Sequence, residues 1–255
     1  MAEGEATRLS VNLNKVALLR NQRDIGYPDV VEMARIVVAA GADGITVHPR
    51  PDQRHVRTGD VLALKRLIAE DLHHRVEFNV EGYPGDDFLE LIEEVRPDQV
   101  TLVPDAPDQA TSDHGWDVAV EKARLRRIVE RLRAAGSRVS LFMDPEPGAM
   151  AGAAATGAER IELYTGPYAF AFGAGEGEGL LERYVRAAGA ADAAGLGINA
   201  GHDLNLDNLP PFRRAIPKLA EVSIGHAITA DALKIGFPAA VEAYLRALGR
   251  APFAS

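Results

Sequence analysis

The sequence has no cysteine. Disulfides, thiolate zinc sites and cysteine nucleophiles are therefore excluded. It also has no apolar run near the roughly 20 residues that span a bilayer. Its first residues, Met1 to Ala6, are acidic and polar and lack the apolar core of a secretion signal. We expect a cytoplasmic protein with a frayed tail over residues 1–8. Basic residues are in deficit, 28 against 37 acidic, for a net charge of -9. An acidic surface disfavours nonspecific binding to nucleic acid or membrane. It leaves room for a small anion, because a few arginines reverse the field locally.

Of the 255 residues, 47% are hydrophobic and 25% charged, within the range of one large globular domain. Short β-rich runs alternate with longer helical ones along the whole chain. Strands are expected near 9–13, 44–47, 76–80, 99–103, 138–142, 160–163, 197–199 and 221–224. Helical patterns fill 29–40, 59–71, 86–95, 117–135, 147–156, 179–194 and 231–248, with an irregular segment at 206–215. Several helical patterns stop at a glycine, as at Ala40-Gly41 and Ala194-Gly195. The strands are mostly continuous apolar runs, the pattern of strands covered on both faces. Eight strand–helix units in about 250 residues predict an α/β fold of the (β/α)8 TIM-barrel kind, one domain over 9–250. A doubly wound sheet would carry a glycine-rich loop after its first strand. Here that strand runs into Asn12-Leu13-Asn14-Lys15. The connections after strands four and six are long, which predicts extra helices or loops there. The second, rich in glycine and aromatics, reads as a lid.

Barrel chemistry sits at the C-terminal ends of the strands. There the sequence places Asn12 and Asn14, then His48 with Arg50 and His55, then Glu77 and Asn79. Asp144, Glu162, His202 and His226 follow at strands five to eight. Acid–base groups thus recur around one rim. Glu77 and Glu162 sit inside apolar runs, so each carboxyl must be paired or raised in pKa. Gly225-His226 opens a helix and offers N–H groups and a favourable dipole to a phosphate. Arg20, Arg23, Arg50, Arg54 and Arg57 follow the first two strands and suggest a second anion site. Two phosphates among proton carriers fit a multistep condensation of phosphorylated carbonyl compounds. Other readings stay open. A metal site could use His48, His202, His226 and Glu162. A Schiff-base aldolase could use Lys15. A non-catalytic phosphosugar-binding protein would need only the phosphate cradle.

At these motifs the chain resembles the pyridoxine 5′-phosphate synthases. The resemblance runs in order through Val11-Asn-Leu-Asn-Lys-Val-Ala-Leu-Leu-Arg-Asn21, Gly41-Ala-Asp-Gly-Ile-Thr-Val-His48, Arg54-His55, Val76-Glu77, Leu102-Val-Pro104 and Thr111-Ser112. It continues through Ile161-Glu162, Thr165-Gly-Pro-Tyr168, Asn199-Ala-Gly-His202 and Ile224-Gly-His-Ala-Ile228. It implies a TIM barrel that assembles into homo-octamers and uses no metal or organic cofactor. The implied reaction joins 1-deoxy-D-xylulose 5-phosphate to 3-amino-2-oxopropyl phosphate, releasing pyridoxine 5′-phosphate, phosphate and water. By the same resemblance His48 is a general base, Glu77 a second acid–base group and His202 a proton donor. Glu162 stabilises charged intermediates. Asn12, Arg23, Gly225 and His226 hold the amino ketone phosphate, and Arg50, His55 and Thr111 hold the deoxyxylulose phosphate. Asn14-Lys15 stands where much of the family has Asp-His, at positions that contact the deoxyxylulose phosphate. Asp203 stands where the family often has glycine, beside a phosphate site.

Overall fold

Eight short strands buried on both faces need a sheet without edges, and a closed parallel barrel provides one. In a computed structural model, which describes residues 6–23, 25–105 and 112–251, the chain takes that solution. The strands are β1 (Arg8–Asn12), β2 (Gly44–Val47), β3 (Glu77–Gly82), β4 (Gln99–Leu102), β5 (Arg138–Met143), β6 (Arg160–Tyr164), β7 (Gly197–Gly201) and β8 (Leu219–Ile224). Each pairs in parallel with the next in chain order, and β8 returns to β1.

Eleven helices among the described residues surround the barrel. They are α1 (Asn14–Asn21), α2 (Val30–Ala39), α3 (Thr58–Arg66), α4 (Asp86–Val95), α5 (Val118–Ala134), α6 (Met150–Ala154), α7 (Gly166–Gly173), α8 (Gly177–Ala193), α9 (Leu209–Ala215), α10 (His226–Ile235) and α11 (Phe237–Ala247). Local chemistry sets their ends. Asp29 caps α2 through Glu32 N, and Asp117 caps α5 through Ala119 N. After α2 the chain turns at Gly41, whose φ of 104° suits glycine. No helix among the described residues is long and apolar enough to cross a membrane.

Two expectations need correction, and two connections gain detail. Thr7 and Arg8 are not a frayed tail: the buried Thr7 hydroxyl donates to Leu219 O at 2.7 Å, and Arg8 begins β1. The stretch after β1 holds α1, which lacks a side-chain cap and any acidic residue in its first turn, so it carries no sequence signal of its start. The connection after β6, expected to hold an extra helix or a long loop, holds helix α7. Tyr168 is buried there, its ring 5.2 Å from Phe212, and its hydroxyl bonds Asn208 O at 2.9 Å. Tertiary packing overrides the weak helix propensity of its glycines. Finally, the expected last helix is two, α10 and α11, broken at Gly236 (φ 80°) ahead of Pro238.

The apolar core lies between the strands and the helices, built from residues such as Val11, Ile45, Val47, Phe78 and Val80. The barrel lumen is polar. Ser10 and Thr46 hydroxyls meet at 2.7 Å, Asn79 donates to Thr46 at 3.3 Å, and Thr101 donates to Asn79 at 3.1 Å. Because strand side chains alternate, Glu77 and Glu81 share the inward face with Asn79. Every register that points Asn79 inward therefore aims both carboxylates along the lumen.

Candidate active site

At the C-terminal ends of the strands lies a cavity of ≈ 470 Å³. Its floor is made by strand termini and its wall by the segments that follow. Asn12 closes β1: its Oδ1 accepts from Asn14 N at 2.9 Å, and its Nδ2 donates to Glu81 Oε2 at 3.4 Å. Asn14 Oδ1 in turn accepts from His48 N at 2.9 Å, so the first connection pins the second. Gly225 packs closely against Asn12 here: a Cβ would stand 3.1 Å from Asn12 Cβ, so a larger residue would press on that side chain. The segment after β2 is buttressed from behind. Arg20 grips Asp60 and donates to His55 O at 3.2 Å, and Asn21 donates to the same oxygen at 2.8 Å.

Glu81 is the junction of the site. Its Oε2 lies 3.8 Å from His48 Nδ1, and Ser223 Oγ approaches its Oε1 at 3.5 Å. Burial, and then the charge of Asp105, pushes its carboxyl up to about 8. Glu162 is raised well above the ordinary carboxylate value, by burial and then by the charges of Glu81 and Glu221. Gly201 leaves room for it, since a Cβ there would overlap Glu162 Oε1. The histidines move the other way. Burial, followed by Arg50, His55 and Arg54, holds His48 well below the ordinary imidazole value. Burial, followed by Arg50 and Lys15, lowers His55 to about 4. At neutral pH the carboxyls of Glu81 and Glu162 are therefore biased toward the protonated form, the reverse of their usual state, while His48 and His55 are held firmly neutral.

His202 follows β7 with φ 82°, and Asp203 comes next at φ 60°, both in the left-handed region. The backbone is held there by Thr165 Oγ1, which donates to His202 O at 2.5 Å, and by Asn208 Nδ2, which donates to Asp203 O at 3.1 Å. The new carboxylate pairs with its neighbour: His202 Nδ1 lies 2.9 Å from Asp203 Oδ2. The hydrogen bond with His202 leads in holding Asp203 below the usual carboxylate range, with smaller help from His226 and Lys15. Across the cavity, α10 begins without a side-chain cap, so its first N–H groups remain for a ligand.

The structure brings together His48, Glu162, His202, Asn12, Asn14, Lys15, Arg50, His55, Asp203, Gly225 and His226 around this one cavity. Thr111 lies outside the described residues. Arg23 is exposed beyond α1 and does not line the cavity. Glu77 is at the wrong end. It is the first residue of β3, where Arg138 pairs with it and Arg8 Nη1 donates to it at 3.2 Å. Burial pushes its carboxyl up, but the Arg138 contact outweighs this and the net shift is downward. Glu81, four residues on, occupies the rim instead. Its signal in the sequence was its place just before Gly82-Tyr83-Pro84, where the strand has to end. His48, His202, His226 and Glu162 form no ligand cluster: among the described residues no group of three or more such side chains is placed to hold a metal ion.

Residues 9–250 match the family described as pyridoxal phosphate biosynthesis protein PdxJ. The pyridoxine 5′-phosphate synthase of Mesorhizobium japonicum is 54% identical over 243 residues, which cover 95% of this chain and 98% of that protein. The one from Allorhizobium ampelinum is 56% identical over 245 residues, with the same coverage. Among solved structures, one from Aquifex aeolicus superposes with a TM-score of 0.63 at 14% identity, covering 96% of this chain and 94% of the other. Phosphoribosyl anthranilate isomerase from Thermotoga maritima superposes with a TM-score of 0.55 at 12% identity, covering 95% and 98%. At such identities these two establish the barrel fold alone.

Proposed function

The chain belongs to the PdxJ family of pyridoxal phosphate biosynthesis proteins, and from that membership we propose that it catalyses the reaction of its pyridoxine 5′-phosphate synthase relatives. In that reaction 1-deoxy-D-xylulose 5-phosphate and 3-amino-2-oxopropyl phosphate condense and close the pyridoxine ring. The observation that carries the residue assignments is the single cavity in which neutral imidazoles, proton-holding carboxyls and cations face one another.

Imine formation, dehydration, phosphate loss and ring closure each move a proton. His48, kept neutral, acts as the base. Glu81 takes the acid–base part that the resemblance had suggested for Glu77. His202 donates a proton to a departing oxygen, its ring held by Asp203. Glu162 keeps its proton in the resting site, and a cationic intermediate beside it supplies the counter-charge that lets it ionise. Asn12, Gly225 and His226, with the first turn of α10, receive one phosphate. Arg50, His55, Asn14 and Lys15 receive the other substrate, with Lys15 adding a positive charge to that side. Arg23 has no part in this arrangement. A homo-octamer in the cytoplasm completes the proposal.

The test supplies both phosphorylated substrates to the purified protein. Pyridoxine 5′-phosphate should accumulate, identified by mass and ultraviolet spectrum. Folded protein that forms none would overturn the assignment.

A further inference from the structure

Asp105 lies just past β4 and is 2% exposed. Its Oδ2 accepts from Arg50 Nη2, and from Ser112 Oγ at 2.7 Å. Its Oδ1 is buried without a hydrogen-bond partner among the described residues. Burying a carboxylate with one idle oxygen costs stability. The mechanism above gives this group no task, yet it pairs with Arg50, which lines the cavity, and its charge acts on Glu81.

The surroundings of Glu81 show what that position does. Asn12 reaches it from β1, His48 from the segment after β2 and Ser223 from β8, while Arg50 after β2, Asp105 beyond β4 and Glu162 in β6 interact with it through their charges. Two of these neighbours are acids. Asp105 opposes the ionisation of Glu81, while Ser223 and Arg50 favour it. Asp105 also takes up one nitrogen of Arg50, which fixes the plane of a side chain that otherwise has many rotamers.

We propose that Asp105 is a positioning residue for the reaction: it holds the Arg50 guanidinium at the cavity wall and sets the electrostatic field in which Glu81 exchanges protons. One carboxylate thus couples the anion-binding side of the cavity to its acid–base side. The proposal rests on the proton-transfer part assigned to Glu81, so its test begins on the free protein.

Asp105→Asn keeps the shape and removes the charge. In protein carrying 13C-carboxyl-labelled glutamate, the Glu81 resonance, assigned by its loss in Glu81→Gln, should titrate near the wild-type value of about 8. In Asp105→Asn its midpoint should fall by roughly one pH unit. In turnover, the alkaline limb of kcat should move down with it. KM for the deoxyxylulose phosphate should rise roughly tenfold as Arg50 loses its clamp. Ser112→Ala, which leaves the charge in place, should leave the limb where it is. Asp105→Ala serves as a second charge-free variant. An unmoved Glu81 midpoint in either variant would overturn the proposal, as would the failure of both to fold, which would make Asp105 part of the scaffold. A shifted midpoint in a protein that makes no pyridoxine 5′-phosphate would sink the functional assignment and leave the Asp105–Glu81 coupling standing.

Discussion

Glu77 and Glu81 lie on one strand, point into one lumen and are separated by about 13 Å of β-structure. At Glu77, arginine contacts outweigh burial and hold the carboxyl below its ordinary value. At Glu81 burial and a neighbouring carboxylate push it up to about 8. The difference comes from what the other strands contribute at each level. Arg8, Arg138 and Arg160 are the first residues of β1, β5 and β6, so cations ring the N-terminal end. At the Glu81 level Asn12, Ser223 and His48 are in contact, and the one cation acting on it, Arg50, is opposed by Asp105. The barrel compensates Glu77 with arginines and leaves Glu81 raised, but Glu221, in register with Arg8 at the N-terminal end, is also pushed up to about 8 by burial and by Glu77. Glu81 differs from Glu221 in lining the cavity, where a raised carboxyl can exchange protons with a substrate.

The largest test of this contrast is activity. Glu81→Gln should lower kcat by roughly 10²–10⁴-fold, while Glu77→Gln should keep kcat within about threefold; equal losses in steady-state assays would erase the distinction. Stability should show the reverse at smaller scale. Glu77→Gln strands partly exposed arginines and should cost about 2 kcal/mol in denaturant titrations. Glu81→Gln should cost nothing at neutral pH. The smallest effect is the pH dependence of the melting temperature. Glu81 has a raised folded-state value, so its contribution is full below the unfolded value of 4.5 and is lost as pH rises toward about 8. His55 is lowered from 6.5 to about 4, so its contribution is present above 6.5 and lost as pH falls toward 4. Glu81→Gln should make the decline between pH 4.5 and about 8 shallower without abolishing it, because Glu221 and Glu162 are raised too, and should leave the acid-side loss in place. A decline of unchanged slope would show that Glu81 is not among the titrating groups.

The same contrast shows what was legible in the sequence. The barrel was, because eight apolar runs and their glycine stops repeat independently of tertiary detail. Most rim residues were, because they follow a strand directly, as His48 and His202 do. Glu77 misled because composition marks a carboxylate in an apolar run without saying at which end of the barrel it falls. That depends on strand boundaries, and β3 runs two residues beyond 80. An extra helix or loop after β6 was legible from the length of that connection, but not the choice between them, because α7 packs Tyr168 on Phe212, a partner some 40 residues away. Asp105 was hidden because its importance lies in its contacts with Arg50 and Ser112, which no spacing rule announces.

The seam of the barrel has a consequence for its manufacture. β1 leaves the ribosome some 200 residues ahead of its partner β8. Thr7 waits for Leu219, and Asp43, which accepts from Leu9 N at 2.8 Å, waits for Arg250. At roughly 5–20 residues per second, the nascent chain carries one unpaired strand edge for on the order of 10–40 s. During that interval the growing sheet is open to pairing with other chains. Closure is therefore a late event of high contact order, and conditions that slow synthesis of the last segments should tax solubility before they affect the finished enzyme.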